Sequence, residues 1–370
     1  MKKQRLAKTL VSICLVLVLA FMLPAMSLGA PAKSTPAPGS AQKSAWQPPA
    51  SISIGATGVA TTGYPTAVGM TSKIGEATKV KFSVIPAQRT MERAMILRKG
   101  EAPFQFETAI GTLFALKGTD EYKELGPQSY RAAWVGGVLI QGLATRASAN
   151  IKKWSDLKGK KVASYPYHAA PQHHVDASLA YGNIGANDVI AVPMSGYPAG
   201  AKALLAGSVD AASLAAESAP AKELAASVQG VSWLPLPNIT PEDKAAWARF
   251  QNILPGFFPV RTPRAAGASK DKPVDIWGYY YHVIAFDDTD KNLVYWFTKQ
   301  INENYPAFKT VSAYLSTWTL EECLKPEAWF APWHEGSIQY FKDIGRWTPE
   351  MEAKQQTMLA THPQKMTRLK

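Results

Sequence analysis

Ile52-Ser53-Ile54-Gly55-Ala56-Thr57-Gly58, followed by Gly63-Tyr64-Pro65, decides how this chain is read. Residues 52–54 alternate apolar and polar side chains as a half-buried strand does, and glycine and threonine then break the run. The spacing predicts a helix over 65–76, with Val68 and Ile74 on one face and Pro65 in the first turn, where a missing N–H costs nothing. Strand, polar loop, helix is the opening of an α/β unit, and the same order repeats along the chain. Strands are expected at 80–85, 132–143, 160–164, 189–192, 209–214, 231–236 and 279–286. Helices are expected at 90–99, capped by Thr90, and at 171–181, 199–206, 220–226, 293–304 and 337–344. The fold class is therefore α/β, and Gly136-Gly137 inside the long apolar stretch marks a passage from one lobe to another.

The chain has 370 residues, 46% of them hydrophobic and 18% charged, which excludes a disordered or fibrous protein. At the N-terminus Lys2, Lys3, Arg5 and Lys8 precede an apolar run over 10–23, then Pro24 and small residues. This is the pattern of a secretory signal peptide, and the run is too short for a membrane span. Cleavage after Gly29 or after Ala32 fits equally. Cys14 sits inside the run behind Ile13, away from a lipoprotein acceptor position, so no lipid anchor is expected. Losing the four basic residues lowers the formal charge from +12 to +8, and no basic run interleaved with aromatics follows, so no nucleic acid partner is expected. Cys323 then remains without a partner for a disulfide. Residues 1–29 are assigned to the signal and 30–49 to a Pro/Ala/Ser-rich linker.

Enzyme motifs fail on their chemistry. Gly58 and Gly63 have the spacing of a phosphate loop, but Tyr64 and Pro65 stand where Lys and Ser or Thr must be. No Gly-x-Ser-x-Gly elbow occurs, and His334-Glu335 is followed by Ile338 where a second zinc ligand belongs. Asn238-Ile239-Thr240 matches a glycosylation pattern too short to be specific. Cys323 beside Glu321 and Glu322 lacks the positive neighbours of a reactive thiolate. His168, His173, His174 and Asp176 are the one group with metal-ligand chemistry, but adjacent residues point about 100° apart on a helix. No metal and no cofactor are expected.

Four strand ends run into polar loops that open helices: 57–64, 88–90, 165–172 and 217–219. In an α/β sheet such loops gather at the carboxyl edge of the strands, where helix N-termini offer free amides to a ligand. The candidate ligand-binding residues are therefore Thr57, Thr61 and Thr62 as hydrogen-bonding hydroxyls; Tyr64, Tyr165 and Tyr167 as ring faces; Arg89 and His168 as donors; and Glu217. No catalytic residue is assigned.

The opening stretch, with its glycine/threonine turn and Tyr-Pro helix start, resembles the TAXI-type solute-binding subunits of tripartite ATP-independent periplasmic (TRAP) transporters. Three further segments are similar to that family: Ile151-Lys152-Lys153-Trp154-Ser155-Asp156-Leu157-Lys158-Gly159-Lys160-Lys161-Val162, Ala203-Leu204-Leu205-Ala206-Gly207-Ser208-Val209-Asp210-Ala211 and His334-Glu335-Gly336-Ser337-Ile338-Gln339-Tyr340-Phe341-Lys342. Together they span 51–345. The resemblance implies a type II periplasmic-binding-protein fold, with 50–138 and 283–370 as one lobe and 139–282 as the other. It also implies a monomeric periplasmic receptor for a carboxylate-bearing solute, an organic acid or amino-acid-like compound, that docks on membrane permease subunits. Tyr165-Pro166-Tyr167-His168-Ala169 and Glu217-Ser218-Ala219-Pro220 depart from the family's pattern, and an unpaired Glu217 would repel a dicarboxylate. The alternatives are an ABC-importer binding protein, a sensor module of the same fold, and a secreted hydrolase using the His168 group.

Overall fold

The computed structural model describes residues 46–59 and 61–362; the segment expected to be a signal peptide and the expected linker up to residue 45 lie outside them. The first unit is β1 (Ser51–Thr57), α1 (Gly63–Thr78) and β2 (Lys81–Ala87), the strands parallel from Ser51 opposite Lys81 to Thr57 opposite Ala87. In α2 (Thr90–Arg98) the cap is Arg89, not Thr90: Arg89 is extended, and its backbone N–H donates to Glu92 Oε2 at 3.1 Å. Thr90 is already helical and fully buried, and its hydroxyl accepts from Arg93. β3 (Phe104–Thr108) and α3 (Ala109–Lys117) were not expected from the sequence. The strand alternates Phe104, Gln105, Phe106 and Glu107, apolar and polar, yet both faces are buried, Gln105 and Glu107 as fully as the phenylalanines.

β4 (Tyr130–Arg146) leads to the second unit: β5 (Lys161–Ser164), α4 (Ala169–Tyr181), β6 (Ile190–Pro193), α5 (Tyr197–Leu205), β7 (Ala211–Ala215), α6 (Ala219–Ala226) and β8 (Val231–Trp233). Next come α7 (Pro241–Ile253), β9 (Phe258–Thr262) and β10 (Val274–Phe286), and then α8 (Lys291–Glu303), α9 (Tyr305–Phe308), α10 (Leu320–Cys323), α11 (Glu335–Asp343) and α12 (Pro349–Thr361). The Asn238-Ile239-Thr240 match is a helix start: Thr240 caps α7, its hydroxyl accepting from Asp243 N while Asp243 accepts from Thr240 N. His334 likewise caps α11, through Gly336 N.

The strand order is β2-β1-β3-β10-β4-β7-β5-β6, with β8 beside β4 and β9 beside β10. The outer strands pair in parallel and the middle ones, β3 with β10, β10 with β4 and β4 with β7, antiparallel. Among the described residues, beside a small cluster of Ala87, Ile96 and Ala102, two large hydrophobic cores form around this sheet. One gathers Ile54, Phe104, Phe106, Trp134, Ile284 and Phe297; the other gathers Leu143, Val162, Val175, Leu204, Leu214 and Leu224. Each such side chain contributes about 1.5–3 kcal/mol on burial, so each core sustains its own layer. β4 passes from the first core to the second between Leu139 and Ile140, and β10 does so between Trp277 and Ile276. Near that passage the register slips: Tyr280 faces Val138 and Tyr281 faces Gly136, leaving Gly137 as the extra residue of a bulge. A Cβ on Gly136 would overlap the Trp318 ring, and one on Gly137 would overlap Thr317, so both positions need glycine for close approach. Among the described residues no helix is long and apolar enough to cross a membrane.

Candidate functional site

Each of the four expected loops contributes to one cavity, of about 770 Å³ including the open space at its mouth. Thr57 ends β1, and Thr61 and Thr62 follow it; Gln88 follows β2; His168 caps α4; Ser218 caps α6. Gln141 from β4 and Tyr279 and Tyr281 from β10 line it from the antiparallel middle of the sheet, while Tyr197 joins them from the start of α5. The cavity thus lies where parallel strands end and the chain passes between cores, the position a doubly wound sheet reserves for ligands.

A hydroxyl chain organises one wall. Thr57 and Thr61 bring their Oγ1 atoms to 2.6 Å, Thr61 donates onward to the Gly58 carbonyl at 2.7 Å, and Tyr281 donates to Thr57 at 3.1 Å. Thr62 Oγ1 is buried with no partner among the described residues. Opposite, Gln141 Nε2 donates to Ser213 Oγ at 2.7 Å and lies 3.1 Å from His174 Nδ1, which also meets the Tyr197 hydroxyl. His174 sits among Trp277, Phe257 and Tyr279, its ring centroid 4.7 Å from that of Trp277. Burial holds its pKa well below 6.5. Burial, helped by the Arg93 charge, likewise holds His168 down to about 4, so both rings are neutral at pH 7.

Below the threonines lies a fully buried ion pair. Arg93 grips Glu107 with two bonds, Nε to Oε2 at 2.8 Å and Nη2 to Oε1 at 3.0 Å. Burial alone would lower the Arg93 pKa, but the charge and hydrogen bonds of Glu107 raise it further than burial lowers it, so the guanidinium stays protonated. The sequence reading missed both residues; the available signal was a charged residue within the buried face of α2 and another directly after the phenylalanines of β3.

Of the candidate residues, Thr57, Thr61, Thr62 and His168 line the cavity. Arg89 is exposed and outside the lining; Gln88 and Arg93, on either side of it in sequence, reach the cavity instead. Tyr167 is 83% exposed and outside the lining, because the loop turns its ring outward. Tyr64 packs against the first core. Tyr165 is buried in the second core behind Tyr197, with centroids 5.7 Å apart. Glu217 is held by Arg264 through Nε at 3.1 Å and Nη2 at 2.8 Å, so its charge is paired. The resemblance implied a carboxylate-bearing solute, with Arg89 a candidate to pair with it; among the described residues the lining offers such a solute no unpaired cation.

The His168 group does not converge. His174 faces Gln141, His173 pairs with Asp120 at 3.0 Å, and Asp176 accepts from Gln172 at 2.7 Å. Among the described residues no three metal-binding side chains come together. Asp120 belongs to a short acidic turn that clasps α4: beside it, Glu121 Oε1 accepts from Ala169 N at 2.9 Å.

A family model described as the NMT1-like family matches residues 54–345. The chain belongs to the NMT1-like family. Among solved structures, this NMT1-like chain is similar to the periplasmic binding protein BugD, with a TM-score of 0.50 and 14% identity over 80% of this chain and 97% of that one. It is also similar to the alkanesulfonate-binding protein SsuA from Xanthomonas axonopodis pv. citri bound to MOPS, with a TM-score of 0.43, 15% identity and 86% of each chain covered. For an amino acid ABC transporter substrate-binding protein from Streptococcus pneumoniae bound to L-arginine, the TM-score is 0.41, with 13% identity over 72% of this chain and 92% of that one. No curated protein sequence matches the chain. The likeness to BugD establishes the fold of this NMT1-like chain as that of a two-lobed periplasmic binding protein.

Proposed function

We propose that the chain is a periplasmic receptor, exported behind its signal segment, that captures a small organic solute and delivers it to the membrane permease of a TRAP-type secondary transporter. Residues 50–138 with 283–370 form one lobe in this reading and 139–282 the other, and lobe closure excludes water from the solute. The observation that carries it is the convergence of all four strand-end loops, two on each side of the crossing strands, on a single cavity. The TAXI resemblance of the opening stretch favours TRAP delivery. An ABC importer is the second reading, supported by the same fold, and reconstitution with each kind of permease separates the two. The dispersal of His168, His173, His174 and Asp176 counts against the hydrolase reading.

Native mass spectrometry of the chain lacking residues 1–29, followed by thermal-shift screening of small organic compounds, tests the receptor. One bound small molecule per chain, raising the melting temperature by mass action, supports it. Turnover of a screened compound refutes it.

A further inference from the structure

We infer that the solute taken by this cavity carries no ionised group: it is a neutral compound with a flat or rigid apolar body and hydrogen-bonding edges. The inference rests on the receptor reading and narrows it to a substrate class. Among the described residues Arg93 is the single charged residue in the lining, and it has nothing left to give. A guanidinium has five N–H donors. Here Nε and one donor of Nη2 go to Glu107, the other Nη2 donor to Thr90 Oγ1, and Nη1 to the carbonyls of Ala87 and Gln88 at 3.4 and 3.2 Å. Glu107 is equally occupied, accepting from Arg93 twice, from Gln105 Nε2, and from Thr108 through both its N–H and its hydroxyl. A solute therefore meets this pair as a neutral object.

An anion entering the cavity would lose its water with no free cation to replace it, and a cation would find no free carboxylate. Zwitterions meet both difficulties. Burial keeps His168 and His174 uncharged and raises the phenols of Tyr197, Tyr279 and Tyr281 above their ordinary value, so no lining ring supplies charge at pH 7. What remains is suited to a neutral guest. The tyrosine rings give apolar faces. Among the described residues Thr62 Oγ1 is buried without a partner, and the Gln88 carboxamide makes no hydrogen bond although it reaches across to Gly196. An amide and a hydroxyl each donate and accept, and so match amide, hydroxyl or ring-nitrogen edges without needing charge.

The test is equilibrium dialysis of the chain lacking residues 1–29 at pH 7.5 against a library pairing aromatic and aliphatic carboxylates with their primary amides, together with a bacterial small-molecule extract, read by mass spectrometry. Ala215→Trp, which fills the cavity, is the control. The expected result is retention of uncharged compounds by the wild type alone, with each bound amide favoured over its acid by about tenfold or more. Retention of a carboxylate, sulfonate, phosphate or amino acid over neutral compounds, lost in Ala215→Trp, overturns the inference and leaves the receptor intact. Equal retention by both proteins, or none by either, overturns the receptor reading and the inference with it.

Discussion

Tyr281 donates its hydroxyl to Thr57 Oγ1 at 3.1 Å although 224 residues separate them in the chain. The bond joins β10 to the end of β1, two strands kept apart by β3, and Gly63 at the start of α1 lies against both partners. A Cβ there would overlap the Tyr281 hydroxyl and Thr57 Oγ1. Gly63→Ala is expected to cost about 1–3 kcal/mol through overpacking. Tyr281→Phe should cost about 0.5–1.5 kcal/mol, the worth of one hydrogen bond. Urea unfolding measures both, and a Gly63→Ala protein as stable as wild type would refute the contact.

Removing one member of the buried ion pair should be severe. Glu107→Gln leaves the Arg93 charge without its counter-charge in a dry site, and a loss of about 3–5 kcal/mol is expected. Replacing both residues by apolar ones of similar size should cost less than the two single changes together. Additive losses in that double-mutant cycle would show that the two groups do not interact.

Stability should fall on mild acidification. His168, His282 and His334 are buried, and burial holds each pKa near 4 instead of 6.5. Between those values the unfolded chain binds protons that the folded chain refuses. The contribution is therefore complete above pH 6.5 and is lost as the pH falls towards 4, on the order of 1–3 kcal/mol per ring. His282→Gln should flatten the profile of melting temperature against pH over that window. An unchanged slope would mean that His282 titrates normally.

Affinity should follow Gln88 and not Arg89. For any solute retained by the cavity, Gln88→Ala is expected to weaken binding by roughly one hydrogen bond, about 0.5–1.5 kcal/mol. Arg89→Ala should leave calorimetric affinity unchanged, since its side chain lies outside the lining. A large loss with Arg89→Ala would place that residue at the ligand.

The acidic turn should hold the cleft shut. Glu121 receives the Ala169 N–H and Asp120 pairs with His173, so elements of the first unit grip the helix that presents His168 and His174 to the cavity. Asp120→Asn combined with Glu121→Gln is expected to raise the radius of gyration of the ligand-free protein in solution scattering, with little change in the unfolding midpoint. An identical scattering curve would remove the turn from any role in closure.

The α/β order was legible in the sequence because strand and helix periodicities are local: Ile52 to Ile54, Val68 with Ile74, and Pro65 at a helix start act within one element. The convergence of strand-end loops was legible too, since a parallel sheet places them at one edge whatever the side chains are. β3 carries the alternation Phe104-Gln105-Phe106-Glu107, a short run that the sequence reading missed; what sequence could not show is that its polar face is buried too, because the partner of Glu107 is Arg93, an element away. Nor could sequence tell which side chains turn inward. Thr57 and His168 reach the cavity while Arg89 and Tyr167 face solvent, a difference set by how helix starts and loops pack against β10. Local sequence determined the elements and the edge where they meet. Tertiary structure decided the charge of the site, because whether an arginine is free for a ligand depends on which distant carboxylate already holds it.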